Sequence, residues 1–231
     1  MSDISVIIPT LNEGDRIEGL LQFLSTNSNP DNIKEIIVVD GGSTDQTVNQ
    51  ILKFDKVRLI KSKKGRAFQL NTGAELATGS VLYFIHADCI PPRSFDQLIL
   101  DRISLGHDAG CFRLKFDSPH WWLRLAGWFT RFNWRICRGG DQSLFITRDL
   151  FEAIGGYDER YLIYEDNILT EELFRRKKHI VINEPIVTSA RLYETHGVWK
   201  LQYHFWRIHL KHRLGSSASE LYTYYKTNIQ G

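Results

Sequence analysis

Cysteine is scarce in this chain: Cys89, Cys111 and Cys137 are the three among 231 residues, and none forms a C-x-x-C pair. That excludes a disulfide framework and suits a reduced compartment. No uninterrupted apolar run approaches the roughly 18 residues that a spanning helix needs. The start, Met1-Ser2-Asp3-Ile4, has neither the basic opening nor the apolar core of a signal peptide. A soluble, cytoplasmic protein is therefore expected. An excess of one charge is also missing, since 29 Lys and Arg face 27 Asp and Glu. A net charge of +2 gives no reason to expect nucleic acid as a partner. Internal repeats and Pro-, Gly- or Ser-rich linkers are absent, so residues 1–231 are read as one domain.

The first half alternates strands and helices. Ile4 to Ile8 is a short apolar strand stopped by Pro9, and Ile17, Leu20, Leu21 and Leu24 mark a helix after it. Ile36 to Val39 is a second strand. Ser43-Thr44-Asp45-Gln46 reads as a capping box opening the next helix. Val57 to Ile60 and Val81 to Ile85 are further strands, with a helix from Arg66 to Ala77 between them. This order predicts a mainly parallel α/β sheet with flanking helices, whose ligands bind at the carboxyl ends of the strands. The second half is less regular. Phe112 to Phe116 alternates as a strand, Trp121 to Phe132 has helical spacing, and Ser143 to Ile146 is extended again.

Polar residues stand at those carboxyl ends. Thr10-Leu11-Asn12-Glu13 follows strand one, Asp40-Gly41-Gly42 follows strand two, and His86-Ala87-Asp88 follows strand four. A carboxylate such as Asp40 can accept from a nucleobase N–H or a ribose hydroxyl, and glycines beside it allow close approach. If residues 86–88 are extended, His86 and Asp88 point to one side and can face one divalent ion. Mg²⁺ would keep waters and share substrate phosphates, whereas Mn²⁺ would suit the imidazole better. Glu165-Asp166 is a paired carboxylate at a helix start, fit to serve as a general base. Each of these residues alone also fits a plainer account: a turn, a satisfied histidine, or favourable charge at a helix N-terminus. Cys89, beside Asp88, is read as packing.

Taken in order, Val6-Ile7-Ile8-Pro9-Thr10-Leu11-Asn12-Glu13, Ile37 to Asp45, Gly65-Arg66, Ala74 to Gly79, His86-Ala87-Asp88 and Glu165-Asp166 resemble a family 2 glycosyltransferase over about residues 4–190. The resemblance implies the GT-A fold, with a nucleotide-binding half over about 1–116 and an acceptor and catalytic half over about 117–190. It further implies inverting transfer of a sugar from a nucleotide-diphosphate donor. Pro9, Thr10, Leu11, Asn12 and Glu13 would line the nucleotide pocket, with Asp40 and Gly41 holding the base, commonly uracil. Arg66 would stand near the base and diphosphate. Asp88 would be the metal-binding aspartate of a D-x-D motif whose first position is His86 here, a variant similar to a small soluble branch of the family. Asp166, with Glu165, would supply the base, and Gly140, Asp141 and Gln142 would form an acceptor-side or diphosphate-side loop. The Q-x-x-R-W motif of processive synthases is absent, so one transfer to a discrete hydroxyl acceptor is expected.

A sugar nucleotidyltransferase is the rival enzyme class, but it needs a glycine- and basic-rich loop where Thr10 to Gly14 stands. A non-catalytic nucleotide-sugar-binding protein would tolerate loss of Glu165 and Asp166, and both are present. About residues 191–231 form a basic tail, and His196 to Ser219 contains no acidic residue. Lys200, His204, Arg207 and Lys211 form one stripe of a helix, between apolar flanks that include Leu201 and Ile208 on one side and Trp199 and Trp206 on the other. Such a helix, over 198–213, closes the fold, makes peripheral contact with a membrane, or brings its basic residues to the donor diphosphate.

Overall fold

Strand β1 (Ile4–Thr10) sends alternate side chains to opposite faces, and each face has its own helix to cover it. The computed structural model describes residues 3–230; Met1, Ser2 and Gly231 lie outside them, and so does part of the leader reading. Ile4, Val6 and Ile8 pack with Ile17, Leu20, Leu21 and Leu24 of α1 (Gly14–Asn27). Ile7 packs on the other face with Ala67, Leu70 and Ala74 of α3 (Arg66–Leu76). Each fully buried Ile or Leu contributes about 1.5–3 kcal/mol, so this two-sided burial fixes the strand register.

β2 (Ile33–Asp40), the short α2 (Thr47–Ile51), β3 (Val57–Lys61) and β4 (Val81–Phe84) complete the first half. β3, β2, β1 and β4 lie side by side and parallel. Beyond β4 come the two-residue β5 (Cys89–Ile90), α4 (Phe95–Ser104), β6 (Ala109–Phe116) and α5 (Trp121–Phe129). β7 (Leu144–Thr147), α6 (Arg148–Ile154), α7 (Glu165–Arg175) and β8 (His179–Thr188) follow. The sheet continues as β4-β7-β6-β8-β5, with β7 antiparallel to both neighbours and β6 parallel to β8. It is thus a mostly parallel sheet with antiparallel additions at one side. α8 (Arg191–His196), α9 (Val198–Arg213) and α10 (Ala218–Tyr225) close the chain.

Three local expectations need correction. Pro9 does not end β1, which runs on to pair Pro9 with Val39 and Thr10 with Asp40. Ile7 O accepts from Ile85 N and Thr10 O from Gly41 N, so backbone alternation turns the Pro9 nitrogen toward β4. There β4 pairing has already ended, and the missing N–H costs nothing. Second, Ser43 to Gln46 is not a capping box; α2 starts at Thr47 with no side-chain cap. The carboxylate of Asp45 instead accepts from Gly14 N (3.1 Å) at the start of α1, and Thr47 Oγ1 accepts from Glu13 N (2.8 Å). The loop after β2 therefore caps the helix after β1 and clamps the two rim loops together. Third, the helix from Trp121 stops at Phe129 rather than Phe132.

Candidate active site

The first rim loop is rigid for local reasons. Asn12 adopts a left-handed conformation (φ 57°), which Asn tolerates better than most residues. Its Oδ1 accepts from Thr44 N at 2.9 Å, and its own N–H donates to Ser43 Oγ at 2.9 Å. Pro9 and Thr10 are buried at the strand end, while Leu11 and Glu13 are half-buried and Asn12 is exposed. Glu13 is within 3.4 Å of Arg16 and 3.5 Å of Arg191. Burial and then the nearby Asp88 charge push its carboxyl up, against the pull of the two arginines. Arg191, more than a hundred positions along, carried no local signal in the sequence.

Asp40 is buried, and its carboxylate accepts from Gly42 N (3.0 Å) and Ser43 N (3.1 Å). Beneath Gly41 lies Gln69, whose amide donates to Thr10 O (2.7 Å) and Val39 O (2.8 Å). Gln69 thus ties the ends of β1 and β2 from within α3. The sequence held one clue to it, a polar residue on the inner stripe between Ala67 and Leu70.

His86 and Asp88 do come together, but not as an extended pair. β4 ends at Phe84, and Cys89 N donates to His86 O (3.1 Å), closing a turn. His86, Asp88 and Cys89 each present one possible ligand atom, all within 4.8 Å of one another. The Cys89 thiol is buried, and desolvation with the Asp141 and Asp88 charges pushes it well up. Its Sγ already lies 3.4 Å from the Thr188 hydroxyl, a packed position, and a soft sulfur ligand suits a hard, oxygen-preferring ion less well than imidazole and carboxylate do. Imidazole and carboxylate remain, a donor set that fits a divalent ion such as Mn²⁺ with sites left for phosphate and water.

The second half of the chain brings its carboxylates to this place. Asp141 lies 3.4 Å from His86 Nδ1, and Asp166 lies 3.9 Å from Nε2. Burial and the Arg66 charge oppose a proton on His86; the Asp141 contact and the charges of Asp166 and Asp141 prevail and raise its proton affinity. Asp141 is held below the usual carboxylate range: burial works against this, but His86 and Arg66 outweigh it. Gly140 sits between them, and a side chain there would strike the Asp166 carboxylate and come within 2.8 Å of His86 Cε1. Gln142 is buried and accepts from Gly139 N at 3.2 Å, so it braces the loop from within. Just before the loop, the buried Arg138 donates to the carbonyls of Thr130 (2.5 Å) and Phe132 (2.7 Å) and fixes where it begins.

Arg66 opens α3 after Gly65, whose φ of 136° belongs to glycine. It reaches across to Glu165 (3.3 Å) and Asp166 (3.7 Å) at the start of α7. Desolvation works against its charge, but Glu165, Asp166 and Asp141 push its proton affinity further up. Tyr164, also left-handed (φ 74°), precedes the pair, and its hydroxyl meets His209 Nδ1 of α9 at 2.7 Å. The two carboxylates differ sharply. Glu165 is 1% exposed, and among the described residues neither of its oxygens has a hydrogen-bond partner. Asp166 opens onto a small recess lined also by His86, Gly140, Ser143, Tyr157 and Thr170. Asp166 is the more open of the two, with 15% of its side chain exposed.

Burial, opposed by Arg66 and reinforced by Asp166, pushes the Glu165 carboxyl up. A raised carboxyl contributes stability below its ordinary value of 4.5 and loses it as pH rises through the folded value. The melting temperature of Glu165→Gln, relative to wild type, should therefore rise as pH increases from below 4.5. Paired thermal melts across pH check this, and a relative fall would show that the Arg66 pairing outweighs burial.

Comparison with known proteins shows the family and the fold. The sequence profile of Glycosyl transferase family 2 matches residues 5–157. Glycosyltransferase AglE of Haloferax volcanii is 32% identical over 168 residues, covering 67% of this chain and 55% of AglE. The chain spans about half the length of the curated relatives it matches, 55% and 54% of the first two. S. aureus TarS in complex with UDP superposes with a TM-score of 0.65 at 18% identity, over 81% of this chain and 60% of that one. The mannosyltransferase PcManGT from Pyrobaculum calidifontis, in complex with GDP-Man and Mn²⁺, gives 0.66 at 23% identity, over 90% and 62%. At these identities the structural likeness shows the fold, which is the expected GT-A arrangement.

Proposed function

The chain belongs to glycosyltransferase family 2, and on that footing we propose that it moves one sugar from a nucleotide-diphosphate donor to an acceptor hydroxyl, inverting the anomeric carbon. The observation that carries this reading is the meeting of Asp166 with His86, Arg66 and Gly140 at the carboxyl edge of the sheet. Asp166 takes the hydroxyl proton as the acceptor oxygen bonds to the anomeric carbon. The carbon–oxygen bond to the diphosphate breaks on the opposite face, and its electron pair leaves with the nucleoside diphosphate. Arg66 is half-exposed, so its fork of donors can hold the carboxylates on one side and meet the diphosphate on the other. His86 and Asp88 would hold a divalent ion, Mg²⁺ or Mn²⁺, which when bound neutralises diphosphate charge. A screen of nucleotide sugars with simple sugar acceptors, following released nucleoside diphosphate, tests the reading. Release from no donor would overturn it.

The base is uracil on this account. Asp40 Oδ1 carries one bond, at 3.2 Å from Ser43 N, and keeps capacity to accept from uracil N3–H. TarS, with its UDP complex, supports that donor class, and PcManGT with GDP-Man marks the alternative. UDP should bind more tightly than GDP in calorimetry on one sample; tighter GDP binding would overturn the uracil assignment.

Metal-supported affinity should run through Asp88. Asp88→Asn keeps shape but removes charge, so Mn²⁺-dependent UDP affinity should fall by at least the roughly 10–100-fold that losing an outer partner of a metal site costs. Titration of UDP with and without Mn²⁺ checks this. His86→Ala should cause a comparable loss if the imidazole is a direct ligand. Unchanged Mn²⁺-dependent binding in Asp88→Asn would place the ion elsewhere.

A further inference from the structure

The tail helix does not pack on both flanks. Leu201 and Ile208 of α9 are buried among Leu221, Ile229 and the tyrosines of the 161–164 loop. On the opposite flank Trp199 is 52% exposed and Trp206 53%. They are not scattered side chains. Trp199 meets Trp121 (5.8 Å between ring centres) and Trp122 (5.3 Å), and Trp122 meets Trp206 (6.1 Å). Trp121, on α5, is itself 60% exposed. Trp122 Nε1 donates to Gln202 Oε1 at 3.1 Å, which locks the two helices into one surface. Further along the chain Trp128, Trp134 and Ile136 are also exposed, with Phe132 in ring contact with both tryptophans, and they lead in sequence to the loop that carries Gly140 and Asp141.

Charge marks what this face meets. Residues 118–140 and 195–219, the two helices with their flanks, contain eight Lys and Arg and no Asp or Glu, with Asp117, Asp141, Glu194 and Glu220 standing just outside them. The whole chain carries only +2, so the rest of the molecule is net acidic. Arg138 is buried and Arg135 pairs with Glu171. Among the described residues the other six, Arg124, Arg131, Lys200, Arg207, Lys211 and Arg213, make no ion pair with a carboxylate, and five of them are exposed. Tryptophan rings with cations beside them suit the headgroup region of a bilayer, where rings enter and charges meet anionic lipid. A second copy of this chain fits worse, because it would set one cationic face against another.

We propose that the α5–α9 face docks this protein on an anionic lipid bilayer, with the Gly140–Asp141 loop turned toward the membrane. The inference stands on these two helices and does not depend on the donor or the chemistry at Asp166. It differs from the closing-helix alternative in that only one flank of α9 closes the fold.

Flotation of the full chain with vesicles of phosphatidylcholine, with and without phosphatidylglycerol, tests the proposal. Binding is expected only with phosphatidylglycerol and should be lost near 1 M salt, where the screening length falls to about 3 Å. Each basic residue at an anionic surface contributes roughly fivefold in partitioning. The combined variant Arg124→Gln, Lys200→Gln, Arg207→Gln should therefore bind roughly a hundredfold more weakly, with an unchanged thermal melt. Lipid brominated in its chains should quench tryptophan fluorescence in the bound protein. Trp199→Ser should weaken binding to phosphatidylglycerol vesicles and reduce the quenching; because it also removes a packing contact with Trp122, the charge variant carries the test if that protein does not fold. No binding to phosphatidylglycerol vesicles overturns the proposal, as does equal binding to both vesicle types. Self-association abolished by the charge variant, with no vesicle binding, would assign the face to a second copy instead.

Discussion

Replacing Asp166 by Asn is expected to lower turnover by roughly 10²–10⁴, the usual worth of general base catalysis, while donor affinity stays near wild type. The split follows from geometry. Asp166 opens onto the recess beside His86 and Gly140, where an acceptor hydroxyl would lie, and among the described residues none of the Asp40 loop lines that recess. The amide keeps the shape and still accepts from Arg66, but it cannot take a proton. Glu165→Gln should be far milder, because Glu165, unlike Asp166, is not among the residues that line the recess. Turnover and donor affinity measured on both variants decide the matter. If Glu165→Gln is dead while Asp166→Asn turns over normally, the base is Glu165; if both stay active, Asp141 is the next residue to replace.

Gly140→Ala should come close to that loss by a different route. A Cβ at Gly140 would strike the Asp166 carboxylate and come within 2.8 Å of His86 Cε1. Something must shift, and both neighbours belong to the site. Overpacking of this kind costs about 1–3 kcal/mol of stability. Displacing the base by about 1 Å costs on the order of a hundredfold in rate. Unlike Asp166→Asn, the alanine variant should also weaken Mn²⁺-supported nucleotide binding, because His86 moves with it. Full activity in Gly140→Ala would mean that the loop swings away from Asp166 during the reaction.

The legible parts of this fold are those with local causes. Buried parallel strands read as continuous apolar runs, so β1, β2 and β4 stood out, and their carboxyl ends pointed to Asn12, Asp40 and His86. The Glu165-Asp166 pair was visible because acidic residues gather at helix starts. β8 was not visible: Pro185 and a register shift opposite Phe112 and Arg113 break its alternation. The pairings that assemble the site left no trace either. Arg66 with Glu165, Asp141 with His86, and Asp45 with the start of α1 each join residues far apart in the chain. Spacing also misled at His86-Ala87-Asp88, where a turn rather than an extended strand brings the two side chains together.

The central claim is a single displacement at the anomeric carbon, with Asp166 as the base and no covalent sugar on the protein. Once a donor and an acceptor that release nucleoside diphosphate are in hand, proton NMR of the product reads the configuration of the new bond. The account predicts the configuration opposite to that of the donor, formed by wild type and nearly absent with Asp166→Asn. A product that keeps the donor's configuration would contradict it.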